Sequence, residues 1–391
     1  MLHKIKRLLK WLAVALAAYL GLVLIAFAWQ MIHARLRNPD ADLVNQEMQP
    51  AVSQIVESVR EIVNIYRRPG YQRDAHSKAH GCLRADMEVL QNEEKYRYGI
   101  FAKPAKYETW VRFSNGTTPE IPDYKKDARG MAIKVMGVEG KQLLPGELAG
   151  TTQDFLMINA PRFFIRRIDE YQELINDTAH GDPFRYFFGG WSVNPFKWRL
   201  RQLVVALSTR TAPPDTPFST RYYSMSPYKL GPNEIKFSSK SCDVVTVEGI
   251  NQKHPNFLRE SLKKVLRKQD VCMELMVQIR DPEARMPIED TTVTWSEKAS
   301  PFVTVARLSF PRQDFDTPQQ NRMCEDISMN PWHAIEPHKP ISKVNEMRKE
   351  LYLHTAAFRR MRNGIVMQEP ESWCDSLPEY CEQATTVENE E

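Results

Sequence analysis

The sequence predicts an α+β protein: an antiparallel β-sheet or barrel with surrounding helices, preceded by one transmembrane helix. Three observations carry that reading. Short runs rich in β-branched and aromatic residues, bounded by turn residues, recur without the strand–helix alternation of a doubly wound sheet. Stretches of helical periodicity interrupt them. Near the N-terminus, residues 11–32 are almost continuously apolar. The 391 residues are 42% hydrophobic and 26% charged, enough to fill a sizeable core. A net charge of +4 is too small to mark a nucleic-acid footprint, and 16 Gly with 26 Pro exclude collagen-like or low-complexity character.

In chain order, residues 1–10 form a basic end carrying Lys4, Lys6, Arg7 and Lys10. The apolar run 11–32 is long enough to cross a ~30 Å hydrocarbon core, which takes ~20 helical residues. Only Arg35 and Arg37 follow closely before Asp40 and Asp42. The positive-inside rule therefore leaves residues 1–10 in the cytosol and the body on the extracytoplasmic, periplasmic side. Ala26-Phe27-Ala28 offers a small-residue cleavage site, but the run exceeds the about 7–15 residues of a signal-peptide core, which favours an uncleaved anchor. Either way the body meets an oxidising compartment where disulfides form. Cys374 and Cys381 bracket a short segment and can pair locally; Cys82, Cys242 and Cys272 are either paired or reduced and buried.

Residues 33–69 read as a linker and helix, with Val44, Met48, Val52, Ile55, Val56, Val59, Ile62 and Val63 at helical spacing before Pro69-Gly70. Strand-like runs follow at 108–115, 130–136, 154–159, 221–224, 234–238, 291–296 and 302–310. Helical patterns fall at 169–175, 195–207, 255–267 and 342–361. Residues 365–391 contain eight Asp or Glu and no Lys or Arg, the composition of a solvated acidic tail, with Trp373 available to pin it.

Four segments carry the chemistry. The first is Arg73-Asp74-Ala75-His76-Ser77-Lys78. The second is Val111-Arg112-Phe113-Ser114, followed by Arg129-Gly130-Met131-Ala132-Ile133-Lys134. The third is Asn159-Ala160-Pro161-Arg162-Phe163-Phe164-Ile165-Arg166. The fourth is Arg348-Lys349-Glu350-Leu351-Tyr352, with Arg359 seven residues on. In this order they resemble the haem catalase family, with its R-x-x-H-x-K, V-R-F-S, R-G-x-A-x-K and N-x-P-x-F-F-I-R segments and its proximal helix. More narrowly, the chain resembles the smaller catalase-related bacterial haem proteins, which carry a similar run to Asn330-Pro331-Trp332-His333.

The resemblance implies a catalase-like antiparallel β-barrel over residues 70–364, with haem iron as cofactor and Tyr352 as axial metal ligand. Free Tyr titrates near ~10, so a phenolate needs the ferric ion and a nearby cation, and Arg348 stands one helical turn away. His76 is implied as the distal acid–base group, since an imidazole titrating near ~6.5 both takes and gives a proton. Ser114 would fix its tautomer, and Asn159 would orient the peroxide. Arg73, Arg112 and Arg359 would hold the haem propionates, and Tyr171 would stack on the macrocycle. The implied activity is peroxidase or catalase-like, on hydrogen peroxide or an organic hydroperoxide with a small organic donor. The implied alternatives are a fatty-acid hydroperoxide isomerase or lyase and a non-catalytic membrane-tethered haem protein. Two departures stand out: Glu350 replaces the family's Phe, and Leu353-His354 replaces Pro-Asp. They weaken the implication of fast dismutation more than that of haem binding, and His354 is positioned to alter proximal hydrogen bonding. A helical His76–His80 metal pair is a weaker competing reading.

Overall fold

The computed structural model describes residues 2–40, 43, 48–66, 70, 72–145, 150–366 and 369–381. Its centre is an antiparallel sheet of β1 (Ala79–Val89), β2 (Ala105–Asn115), β3 (Arg129–Val135), β4 (Gln153–Ile158), β5 (Tyr222–Tyr223), β6 (Tyr228–Leu230), β7 (Asn233–Ser241), β8 (Val271–Ile279) and β9 (Val303–Phe310). The strand order is β5-β4-β3-β2-β1-β9-β8-β7-β6. Tyr222 and Tyr223 of β5 also pair with Ser239 and Ser238 of β7, which closes eight strands into a barrel and leaves β6 on the outer edge of β7.

Strand alternation fills this barrel with side chains rather than with a ligand. Phe101, Phe113, Phe155, Phe237 and Phe310 are buried in its core. Phe155 meets Phe237 edge-on at 5.1 Å and Phe101 at 6.1 Å between ring centroids. The intervening residues of β2, Trp110, Arg112 and Ser114, point outward. Any site therefore lies on the outer wall, under the helices.

The helices are α1 (Leu2–Leu36), α2 (Gln49–Ile65), α3 (Ile168–Ala179), α4 (Pro183–Phe187), α5 (Leu200–Thr209), α6 (Phe257–Lys268), α7 (Pro318–Asp326), α8 (Lys343–Asn363) and α9 (Trp373–Ser376). The apolar stripes of α2 (Val52, Ile55, Val56, Val59) and α8 (Val344, Met347, Leu351) bury against Ile168 of α3. Gly364, at φ 65°, caps α8 in the left-handed conformation, with Ile365 N–H returning to Arg360 O at 3.0 Å. α1 is long and apolar enough to cross a membrane.

Several sequence expectations need correction. Residues 291–296 form turns, not a strand, because Asp290 Oδ1 accepts from both Thr292 N–H (3.0 Å) and Thr292 Oγ1 (2.6 Å). Strands β1 and β8 and helix α7 appear where no element was expected. His76 precedes β1 and His80 lies within it, so the pair does not share a helical turn. The helix expected within residues 33–69 forms over Gln49–Ile65; Val44 and residues 67–69 lie outside the described residues. Disulfides join Cys82 to Cys324, Cys242 to Cys272 and Cys374 to Cys381. Trp373 does fasten the C-terminal segment, donating through N–H to Glu108 Oε2 and through Nε1–H to Thr109 O.

Candidate functional site

Between the outer face of β2–β4 and α8 lies a cavity with about 1030 Å³ of empty space, its open mouth included. The barrel side contributes Arg112, Ser114, Gly130 and Ile158, preceded by the 73–76 segment; α8 contributes Arg348, Leu351, Tyr352, Thr355, Ala356 and Arg359. That α8 spacing is one helical face, so a single rotation of the helix presents the whole set. Tyr171 of α3 closes one end.

His76 is held by three devices. Its backbone takes φ 56°, a left-handed conformation uncommon outside Gly, with its N–H donating to Gly116 O at 3.2 Å. Its Nδ1 sits 3.1 Å from Ser114 Oγ. Gly130 of β3 leaves room for the ring: a Cβ there would lie 2.5 Å from His76 Nδ1 and 2.7 Å from Ser114 Oγ. Burial, aided by the Arg112 charge, lowers the His76 pKa from 6.5 to about 4, against the opposing pull of Asp127. The imidazole is therefore neutral at physiological pH.

Across the cavity, Arg348 Nη2 donates to Tyr352 Oη at 3.4 Å, and Nη1 reaches Asn345 Oδ1 at 3.0 Å, Ser226 Oγ at 3.3 Å and Tyr228 Oη at 3.4 Å. Among the described residues no carboxylate pairs with it. Burial opposes its charge, but the Tyr352 and Tyr228 oxygens outweigh burial and push its pKa up. The buried guanidinium thus faces hydroxyl and amide oxygens, that of Tyr352 among them.

Arg73, Arg112 and Arg359 converge at the mouth. Glu325 of α7 lies 3.2 Å from Arg73 Nη1 and 3.5 Å from Arg112 Nη2, while Arg359 Nη1 donates to the Glu325 carbonyl at 2.6 Å. Burial and their mutual repulsion lower the pKa of Arg112 and of Arg359 to about 9. Besides Glu325, the carboxyl groups of Asp74 and Asp326 lie within electrostatic reach of Arg359 and Arg73.

The structure thus brings His76, Ser114, Tyr171, Arg73, Arg112, Arg348, Tyr352 and Arg359 to one cavity. It does not bring Asn159. That residue follows β4 with its side chain turned away: Oδ1 accepts from Arg129 N–H at 2.8 Å, and Nδ2 donates to Thr209 O (3.2 Å) and Thr211 Oγ1 (2.9 Å). Both amide protons are used by the fold. His354 and Glu350 face each other on the exposed side of α8, at 3.8 Å, outside the cavity wall. Gly130, Asp74 and Glu325 were not singled out from the sequence. Gly130 lay inside a recognised motif; Glu325, on an unexpected helix, gave no signal.

The closed barrel with a helix laid over its outer wall is the catalase fold. The chain is similar to a fungal catalase (TM-score 0.58, 17% identity, 78% of this chain and 61% of that one). It is also similar to a bacterial catalase (0.57, 18%, 78% and 60%) and to catalase A from Saccharomyces cerevisiae (0.57, 16%, 77% and 63%). The matches span about three fifths of those catalases' own length. No protein-family model and no curated protein matches the sequence.

Proposed function

We propose that the cavity binds haem, which Tyr352 would hold through its phenol oxygen, and that the protein cleaves hydrogen peroxide or organic hydroperoxides. One observation carries the reading: a single cavity has a neutral, oriented His76 on one wall and the Tyr352–Arg348 pair on the other. The residues present fit the group. Phenolate oxygen is an established haem ligand type. Among the described residues Arg348 has no carboxylate partner, and Arg73, Arg112 and Arg359 converge at the mouth, where they would hold the two propionates. When bound, haem iron supplies the electrons for O–O cleavage. The chain's own part is proton handling and placement. His76, neutral and fixed through Nδ1 by Ser114, accepts a proton from one peroxide oxygen and returns it to the other. Asn159 stabilises the exit of β4 rather than touching the peroxide. Arg73, Arg112 and Arg359 would hold the carboxylates, and Tyr171 would stack on the group. The apolar α1 anchors the protein with its body on the extracytoplasmic side.

The test is the absorption spectrum of protein expressed with ample haem. A Tyr352→Phe variant is expected to lose or shift the haem bands, with far-ultraviolet circular dichroism unchanged. Colourless wild-type protein overturns the reading. Oxygen release, donor oxidation or donor-free consumption of a fatty-acid hydroperoxide then separates catalase, peroxidase and isomerase outcomes; haem bands without any of these leave a carrier.

A further inference from the structure

A second feature lies outside the cavity, in the stretch from α4 through α5. Residues 183–214 contain five Arg or Lys and no Asp or Glu, and seven aromatic rings fall between Phe184 and Trp198. Instead of filling the core, many of these apolar side chains face outward. Phe184, Trp191, Phe196, Val204 and Leu207 are each about half exposed, and Val193 is 84% exposed. Such a contiguous patch on a protein surface marks an interaction site.

The patch adjoins α1. Tyr19 Oη donates to Val193 O at 3.0 Å and its ring meets Trp198 edge-on at 6.3 Å. Gln30 Nε2 donates to Trp198 O at 2.6 Å, and Gln30 Oε1 accepts from Arg201 N–H at 3.1 Å. Tyr19 and Gln30 are about 16 Å apart along α1, half the ~30 Å hydrocarbon thickness. The patch therefore runs beside the segment of α1 that is apolar enough to span a bilayer.

The backbone of the tip also suits a medium without water. Phe188 and Ser192 N–H donate to Phe184 O and Phe188 O, Gly190 N–H to Arg185 O, and Trp198 N–H to Pro195 O. Trp198 Nε1–H caps Ser192 O and Trp191 Nε1–H reaches Asp182 Oδ2. Internal satisfaction of polar groups beneath an aromatic surface is what lipid demands, and Trp with flanking Arg and Lys is the composition of an interfacial element.

We propose that residues 184–207 form a second membrane-embedded element, inserted beside α1 into the outer leaflet of the bilayer. α1 is then a tether, and this lobe fixes how the body sits on the surface. The inference stands independently of haem.

The test uses the full chain in phosphatidylcholine–phosphatidylglycerol vesicles. All six cysteines are paired among the described residues, so Val193→Cys supplies one thiol for an environment-sensitive fluorophore. Val244→Cys, on a position 90% exposed after β7, supplies the reference. Expected are blue-shifted emission at position 193, quenched several-fold more by lipids bearing an acyl-chain spin label than by aqueous iodide, and the reverse at 244. Iodide quenching at 193 overturns the proposal. A blue shift without lipid quenching also overturns it, since a second protein copy then covers the patch. Equal lipid quenching at both positions overturns it as non-specific adsorption.

Discussion

His76 pays for its position with a left-handed backbone conformation, a strain of about 1–3 kcal/mol that surrounding structure must hold in place. Ser114 and Gly130 supply the holding. His76→Ala is expected to retain the haem bands while lowering peroxide cleavage by ~10²–10⁴, measured by stopped-flow at saturating peroxide. Gly130→Ala tests the seat itself. Its methyl would collide with the ring at 2.5 Å, and misplacement on the order of 1 Å costs ~10²-fold, so the variant is expected to approach His76→Ala in rate with its spectrum intact. A rate equal to wild type would show that the close seat has no catalytic role. The pH dependence has a defined sign. Because the folded-state pKa is about 4 against 6.5 unperturbed, the base form persists and cleavage is expected to stay level from pH 8 to 5, then fall with an apparent pKa near 4. Between those two values the unfolded chain binds more protons, so this residue's effect on stability is fully favourable above pH 6.5 and is lost as pH falls toward 4. A titration with midpoint near 6.5 in single-turnover rates would mean the imidazole is solvated.

Helix α7 shows how an unforeseen element completes the site. It is tied to β1 by Cys82–Cys324, and the next residue is Glu325, the carboxylate among three arginines. Glu325→Gln removes the carboxylate that pairs with Arg73 and Arg112. Its side chain keeps 37% exposure, so solvent screens the loss. A drop of about 1 kcal/mol in apo-protein stability is expected, or ~2–4 °C in Tm. Haem carboxylates replace the missing charge, so haem is expected to restore the Tm and to bind no more weakly. Lost haem binding by this variant would contradict the charge argument. Helix α7 was not legible because Pro318-Gln319-Gln320-Asn321-Arg322 carries no apolar period; the disulfide and the Thr317 cap, Oγ1 accepting from Gln320 N–H at 3.1 Å, hold it. Strand β1 was legible but not read: Leu83, Ala85, Met87 and Val89 alternate with Arg84, Asp86 and Glu88, the period of a half-buried strand. Helix α8 was both legible and read, because one stripe both buries its apolar face and carries Arg348, Tyr352 and Arg359. Asn159 was misplaced for want of the tertiary partners Arg129, Thr209 and Thr211, which no local pattern reveals.

For the whole molecule the question is how the cavity lies relative to the bilayer. Ring contacts run from the cavity to the anchor: Tyr171 to Phe163 at 6.3 Å, Phe163 to Phe164 at 4.8 Å and Phe164 to Phe187 at 6.0 Å. Phe188, the next residue, meets Trp198 at 5.1 Å, and Trp198 meets Tyr19 of α1. An apolar layer thus joins the cavity wall to the lipid-facing patch, with no charged side chain in the chain of rings. If residues 184–207 sit in the leaflet, the body is held with the Tyr171 end of the cavity on its lipid side, which favours an acyl hydroperoxide, whereas hydrogen peroxide enters from solvent and gains nothing from that placement. Val193→Asp combined with Phe196→Ser places a charge and a hydroxyl where lipid contact is expected, at sites too exposed to disturb the core. In vesicles, KM for a phospholipid hydroperoxide is expected to rise about 10-fold, a loss of ~1.4 kcal/mol, while KM and kcat for hydrogen peroxide stay unchanged. α1 keeps the variant on the membrane, so the comparison isolates orientation from attachment. Parallel losses with both peroxides would point to a damaged active site, and no change with either would leave the aromatic layer a packing feature alone.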